Sequence, residues 1–145
     1  MKLRLAAVIL AALSLTACGK EIGRIALRDE GQGETPVQVT AGKSLALWTS
    51  LDVKYTGTLA ARYEVELVQN GAVTSKALCN PLDVSTKISS RTTTFGNDHT
   101  TSWQGKMRCE VTPTKSGPAT VRAKLALAQR PAKLTIKDIS LIVKE

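Results

Sequence analysis

Hydrophobic and polar positions alternate along most of the chain from residue 37 onward. Leu45, Leu47, Leu51 and Val53 share one parity, with Thr49 and Tyr55 completing the same face. Tyr63, Val65 and Leu67 alternate with Arg62, Glu64 and Glu66, and Val121, Ala123, Leu125 and Leu127 alternate with Arg122 and Lys124. A period of two with charges on the opposite face is the signature of half-buried antiparallel strands. The Ala- and Leu-rich stretch 119–128 has some helical character, but its strict alternation and the following Arg130-Pro131 favour a strand. Near the end, Leu134 and Ile136 are followed by Ile139, Leu141 and Val143. The parity changes across Lys137-Asp138, which predicts a bulge or bend.

Turn chemistry falls between these runs. Thr56-Gly57-Thr58 separates two strands, Asn70-Gly71 is a strong hairpin signal, Gly96-Asn97-Asp98 divides two Ser/Thr-rich stretches, and Ser116-Gly117-Pro118 precedes another strand. About eight short strands with regular turns predict an all-β antiparallel β-sandwich. Residues 18–36 read as a tether with a short strand or loop: Ile22–Arg28 could be a strand, and Asp29–Pro36 is polar and turn-rich. The sandwich is then expected to occupy 37–145.

The order of elements resembles that of jelly-roll carbohydrate-binding modules. The likeness rests on Gly42-Lys43-Ser44 opening a long strand, Lys115-Ser116-Gly117 leading into an alternating one, and the closing run Leu134 to Leu141. It covers most of 36–145 and implies a jelly-roll-like sandwich, with glycan as one class of ligand. It is a likeness of pattern, and architecture does not fix function.

The first residues differ from the rest. Lys2 and Arg4 precede an apolar run from Leu5 to Leu15, which ends in Leu15-Thr16-Ala17-Cys18. A basic start, a short apolar core and small residues before a cleavage point read as a signal peptide over 1–17. The run is well short of the ~20 residues a membrane-spanning helix needs. Leu-Thr-Ala-Cys resembles the lipobox of bacterial lipoproteins. The resemblance implies cleavage before Cys18, acylation of its sulfur, and anchoring to membrane lipid in the cell envelope. Gly19 at the next position favours the outer membrane in a Gram-negative host. Two or three acyl chains hold a protein firmly on a bilayer where one gives marginal binding.

Of the three cysteines, the lipobox resemblance assigns Cys18 to lipid, leaving Cys79 and Cys109. An even pair in an exported chain predicts a disulfide. It would close the base of a long polar hairpin whose few buried anchors are Ile88, Phe95, Trp103 and Met107, and so pin a projecting element. The chain is basic, with a formal charge of +8, and removal of Lys2 and Arg4 with the signal lowers this only slightly. The cations are scattered and the aromatics sparse, so the charge reads as solubility with a mild attraction to anionic surfaces. No basic stripe suited to nucleic acid is present.

Candidate chemistry is thin. Trp48 has the parity opposite to the apolar face of its strand, beside Asp52 and Lys54. Pointing outward, it could stack on a sugar or anchor a partner protein; burial under a loop or against the tether is the alternative. Trp103 shares parity with Met107, Cys109 and Val111 and reads as core beside the disulfide. His99, with Asn97 and Asp98, sits at a hairpin tip; these are weak candidates for ligand contact and otherwise a solvated turn. Asp29, Glu30 and Glu34 could offer oxygen ligands to calcium, or form a solvated loop. No nucleophile motif, metal-ligand spacing or cofactor motif is present. The expectation is a non-enzymatic binding module in the envelope, for glycan or a protein partner. An accessory subunit of an envelope complex is the alternative, and a small hydrolase is the least supported.

Overall fold

The computed structural model describes residues 19–28 and 31–145. The expected signal peptide over 1–17, Cys18, Asp29 and Glu30 lie outside them. The described residues form nine strands: β1 (Glu21–Ala26), β2 (Gln32–Val39), β3 (Leu45–Thr56), β4 (Ala60–Gln69), β5 (Ala72–Cys79), β6 (Val84–Phe95), β7 (Asp98–Val111), β8 (Gly117–Gln129) and β9 (Lys133–Lys144). One sheet has the order β1-β9-β3-β7-β6 and the other β2-β8-β4-β5, with every pairing antiparallel. Set β6 aside, and the remaining strands follow the two interlocked Greek keys of a jelly roll. The fold is an antiparallel β-sandwich, as the alternation predicts.

The core lies between the sheets and is built from the alternating residues. Leu45, Leu47, Leu51 and Val53 of β3 meet Tyr63, Val65 and Leu67 of β4 and Val121, Ala123 and Leu125 of β8. Thr49, the one polar residue on the inner face of β3, is fully buried and bonds the Tyr63 hydroxyl at 2.9 Å, so neither oxygen is left unpaired. The parity change in β9 is a register shift between Asp52 and Val53 of β3, opposite Lys137. Asn70 (φ 51°) and Gly71 (φ 77°) make the hairpin turn between β4 and β5, both left-handed as a type I′ turn requires.

Three expectations are corrected. First, the described residues of the 18–36 stretch hold more strand than expected: β1, where Ile22–Arg28 could be a strand, pairs with β9, and Gln32–Pro36, expected as loop, belongs to β2, which pairs with β8 from Gln32 to Val39. The glycines that read as loop punctuation are close-approach points between β1 and β2. A Cβ on Gly33 would lie 2.7 Å from Ile25 Cγ2, and one on Gly23 would lie 2.8 Å from Thr35 Cγ2. Second, the segment between the cysteines does not project. β7 runs between β3 and β6, and only β6 is an exposed edge. The Cys79–Cys109 disulfide is present, with Cα atoms 5.6 Å apart, but it joins β5 of one sheet to β7 of the other. Third, Phe95 and Ile88 are not buried anchors. Trp103 and Met107 are, and Trp103 donates from Nε1 to the Pro81 carbonyl at 3.3 Å with Lys87 Nζ 4.1 Å from its ring centre.

The two ends of the sandwich differ. At one end Lys20 and Glu145 exchange backbone hydrogen bonds of 3.1 and 2.9 Å, next to Gly19. At the other, the β3–β4 turn docks on the β6–β7 turn, Gly57 N–H donating to the Asn97 carbonyl at 2.9 Å. Trp48 lies near the first end and Thr56 at the second, eight residues or about 26 Å apart along β3.

Candidate functional site

The outer face of the five-stranded sheet changes character from end to end. Registers across β9, β3, β7 and β6 set its side chains in transverse rows. Nearest the Gly19 end, Ile142, Trp48, Lys106 and Thr86 align. Next come Ser140, Ser50, Gln104 and Ile88, then Asp138, Asp52, Ser102 and Arg91. Beyond the β9 bulge follow Thr135, Lys54, Thr100 and Thr93, and last Lys133, Thr56, Asp98 and Phe95. Each row spans about 14 Å, three inter-strand spacings. Burial falls along the face: Trp48, Ser50 and Ser140 are buried, Asp52 is half-buried, and Lys54 is exposed.

A cleft of about 470 Å³ opens in the distal half, lined by Asp52, Ser89, Ser90, Arg91, Thr100, Ser102 and Lys137. Its β6 wall is shaped by a bulge between Ile88 and Arg91, where Ser89 takes a left-handed conformation (φ 53°). Such a bulge inserts one residue and re-aims its neighbours. The β9 wall is shaped by the second bulge, at Lys137. The two irregularities thus flank a flat polar floor.

Asp52 and Asp138 sit opposite each other on β3 and β9. Two carboxylates side by side repel. The hydroxyls of Ser50 and Ser140 both donate to Asp138, at 2.5 and 2.7 Å, which fixes that carboxylate and leaves Asp52 beside the cleft.

Phe95 is 84 % exposed, the most exposed large apolar side chain among the described residues. It lies at the end of β6, on the same outer face as Thr93 and Arg91. The two-residue turn Gly96-Asn97, with Gly96 at φ 60°, ends the strand before the ring can be covered. An aromatic face left in water beside hydroxyls and charges is suited to apolar stacking with polar anchoring.

The four weak candidates from sequence do not form one site. Trp48 stands off the main core as its parity predicts, but it is 3 % exposed, with Lys144 Nζ 3.9 Å from the ring centre. Its ring is therefore not offered to a sugar. Asn97 uses its carbonyl to hold Gly57, and Asp98 accepts from Thr56 Oγ1 at 2.7 Å. The His99 ring stacks on Tyr55 at 4.9 Å, and its Nδ1 is 3.3 Å from Thr94 Oγ1. These three build the end that presents Phe95. Of the acidic trio, Glu34 stands on β2 with Arg122 at 3.5 Å, while Asp29 and Glu30 lie outside the described residues. Among the described residues no group of three or more His, Cys, Asp and Glu could hold a metal ion.

Sequence reasoning missed Phe95 and Arg91. Phe95 was expected inside, as one of the few buried anchors of the hairpin. Its position one residue before a Gly-Asn turn was the available signal, since strand ends beside tight turns are poorly covered.

The outer face of the other sheet is of a different kind. Glu34, Arg122, Glu66 and Lys76 align across four strands with alternating sign, which reads as a self-neutralised solvated surface. Leu78 is exposed there at its β5 edge but is not aromatic. No protein-family model matches this chain, and no curated protein matches it either.

Proposed function

We propose that this chain is a lipid-anchored envelope protein whose jelly-roll domain is a non-catalytic glycan-binding module. The observation that carries the reading is Phe95, bare to solvent on the same outer face as the polar cleft of Asp52, Arg91, Ser102 and Lys137 and about 13 Å beyond Arg91 along β6. Sugars offer C–H faces to an aromatic ring and hydroxyls to charged and hydroxylated side chains, and this face carries both kinds of group within the reach of a short oligosaccharide. The platform is Phe95, not Trp48.

The anchor rests on the lipobox-like Leu15-Thr16-Ala17-Cys18. The disulfide agrees with an exported location, because such bonds persist in oxidising compartments. Cys18 precedes Gly19, at the end opposite Phe95, so an anchored domain would hold the cleft away from its own membrane. His99 stacks its ring on Tyr55 and meets the Thr94 hydroxyl at 3.3 Å, contacts that brace the turn end of the sheet.

Affinity electrophoresis of the soluble domain through a panel of polysaccharides tests the reading. The wild type should be retarded by at least one, and Phe95→Ala should lose at least tenfold in affinity without a change in thermal stability. Equal retardation of the two, or passage of both through every gel, would overturn it.

A second reading, docking on an envelope protein, has Leu78 in its favour, exposed on the free edge strand β5. Crosslinking from position 78 in intact cells should then trap one discrete species.

A further inference from the structure

The charges on the candidate face are unlike those elsewhere on the molecule. Among the described residues, the ion pairs are Arg24–Glu21, Lys43–Glu145, Arg62–Glu64, Arg108–Asp83 and Arg122–Glu34. None lies in the distal half of this face. Four exposed cations do: Lys54 on β3, Arg91 on β6, and Lys133 and Lys137 on β9. None of the four has an ion-pair partner among the described residues. The acids on the same half are Asp52, Asp98 and Asp138, and two of these are engaged by hydroxyls, Asp98 by Thr56 and Asp138 by Ser50 and Ser140.

Exposed lysines on a sheet usually find a cross-strand acid, as Lys76 and Arg122 do with Glu66 between them on the opposite sheet. Here the cross-strand neighbours of Lys54 are Thr135 and Thr100, and that of Arg91 is Ser102. The immediate cross-strand neighbours of Lys54 and Arg91 are thus hydroxyls, and Asp52 is the one carboxylate in the cleft's lining, against the two cations Arg91 and Lys137. Such a surface repels itself mildly and gains when an anion lies across it. The guanidinium of Arg91 lines the cleft and can hold a carboxylate through two parallel N–H donors.

We infer that the ligand of this face is an acidic polysaccharide, whose sugar ring packs on Phe95 while its carboxylates meet Arg91, Lys137 and Lys54. The inference rests on the glycan-binding reading and adds the charge of the ligand to it. Charge complementarity selects this occupant over a neutral glycan, which would leave four cations unpaired. The position of the face, at the end away from Gly19, sets it apart from the bilayer of a Cys18 anchor.

The test compares polygalacturonate with its fully methyl-esterified form, which has the same backbone without the charge, in affinity electrophoresis at fixed ionic strength. The wild type should bind the acid form at least tenfold more tightly, and the preference should shrink as salt rises. Lys54→Gln/Lys137→Gln should lose at least tenfold on the acid form at unchanged thermal stability. Lys76→Gln/Lys124→Gln, with the same charge change on the opposite sheet, should lose little.

Equal affinity for the two forms would overturn the acidic ligand and leave glycan binding standing. Equal loss in the two double variants would overturn it as well, because only the overall basic charge would then be at work. No retardation by these or by any neutral polysaccharide would remove the glycan reading itself. Binding of anionic phospholipid vesicles that Lys54→Gln/Lys137→Gln abolishes, without binding to polygalacturonate, would replace the polysaccharide by a membrane.

Discussion

The hydroxyls of Thr49 and Tyr63 meet at 2.9 Å in the middle of the sandwich, one from each sheet and both fully buried. Burial pushes the Tyr63 phenol well above its ordinary value of 10.0, with the Thr49 hydrogen bond acting in the opposite sense. Because the folded pKa is raised, the folded state keeps the proton that the unfolded chain gives up. The contribution is whole below pH 10 and is lost as pH rises above it. Denaturant melts should therefore show stability falling on the alkaline side, and Tyr63→Phe should flatten that limb. At neutral pH the same change should cost about 1–2 kcal/mol, since the Thr49 hydroxyl is left without its partner. An unaltered alkaline limb in Tyr63→Phe would show that another group governs it.

The disulfide should act as a clamp between sheets. Its loop of 30 residues gives about 3.6 kcal/mol by chain entropy. Cys79→Ser/Cys109→Ser should lose a comparable amount in urea unfolding. In hydrogen exchange the first amides to lose protection should be those of β5 and β6, the edge strands on that side. Uniform loss across both sheets would mean that the bridge does not act locally.

Gly105 of β7 holds β6 in place by having no side chain. A Cβ there would come within 2.8 Å of both Val84 methyl carbons. Gly105→Ala should destabilise the domain by about 1–3 kcal/mol through overpacking. Adding Val84→Ala should return part of that loss. Double-mutant analysis of melting curves checks this, and additive effects would contradict it.

Trp48 and Phe95 should separate stability from binding. Trp48→Ala removes a buried ring beneath Lys144 and should cost about 3 kcal/mol. It should leave polysaccharide affinity unchanged in the variant that remains folded. Phe95→Ala should do the reverse, because its ring makes little contact with the fold. Thermal melts and gel retardation on the same preparations distinguish the two.

The sandwich was legible in the sequence because one face of each strand is buried, and a period of two survives in Leu45–Val53, Tyr63–Leu67 and Val121–Leu125. Asn70-Gly71 and the parity change at Lys137-Asp138 also declared themselves, since backbone geometry restricts which residues can serve there. The first strand showed only as a possible one over Ile22–Arg28, and the second did not show at all. Gly23 and Gly33 have the same composition signal whether a glycine loosens a loop or admits a neighbour's methyl group, and only packing tells them apart. The partners of the disulfide were legible, but not the sheets they join, because sequence separation carries no layer assignment.

The candidate site was hidden for a related reason. Parity placed Trp48 on the outer face and was correct, yet it could not foresee Lys144 lying across the ring from β9. The same rule applied to β6 fails at the Ser89-Ser90 bulge, which resets the register and puts Arg91, Thr93 and Phe95 together on the outer face. Unpaired cations are likewise invisible along a chain, because a lysine's neighbours are set by cross-strand register.

The most direct measurement is a chemical-shift map of the isotope-labelled soluble domain titrated with polygalacturonate oligosaccharides. The account predicts that perturbed amides cluster on the distal outer face, at Asp52, Lys54, Arg91, Thr93, Phe95, Thr100 and Ser102. Perturbation confined to the Glu34–Arg122–Glu66–Lys76 face, or no perturbation by this or any neutral oligosaccharide, would contradict it.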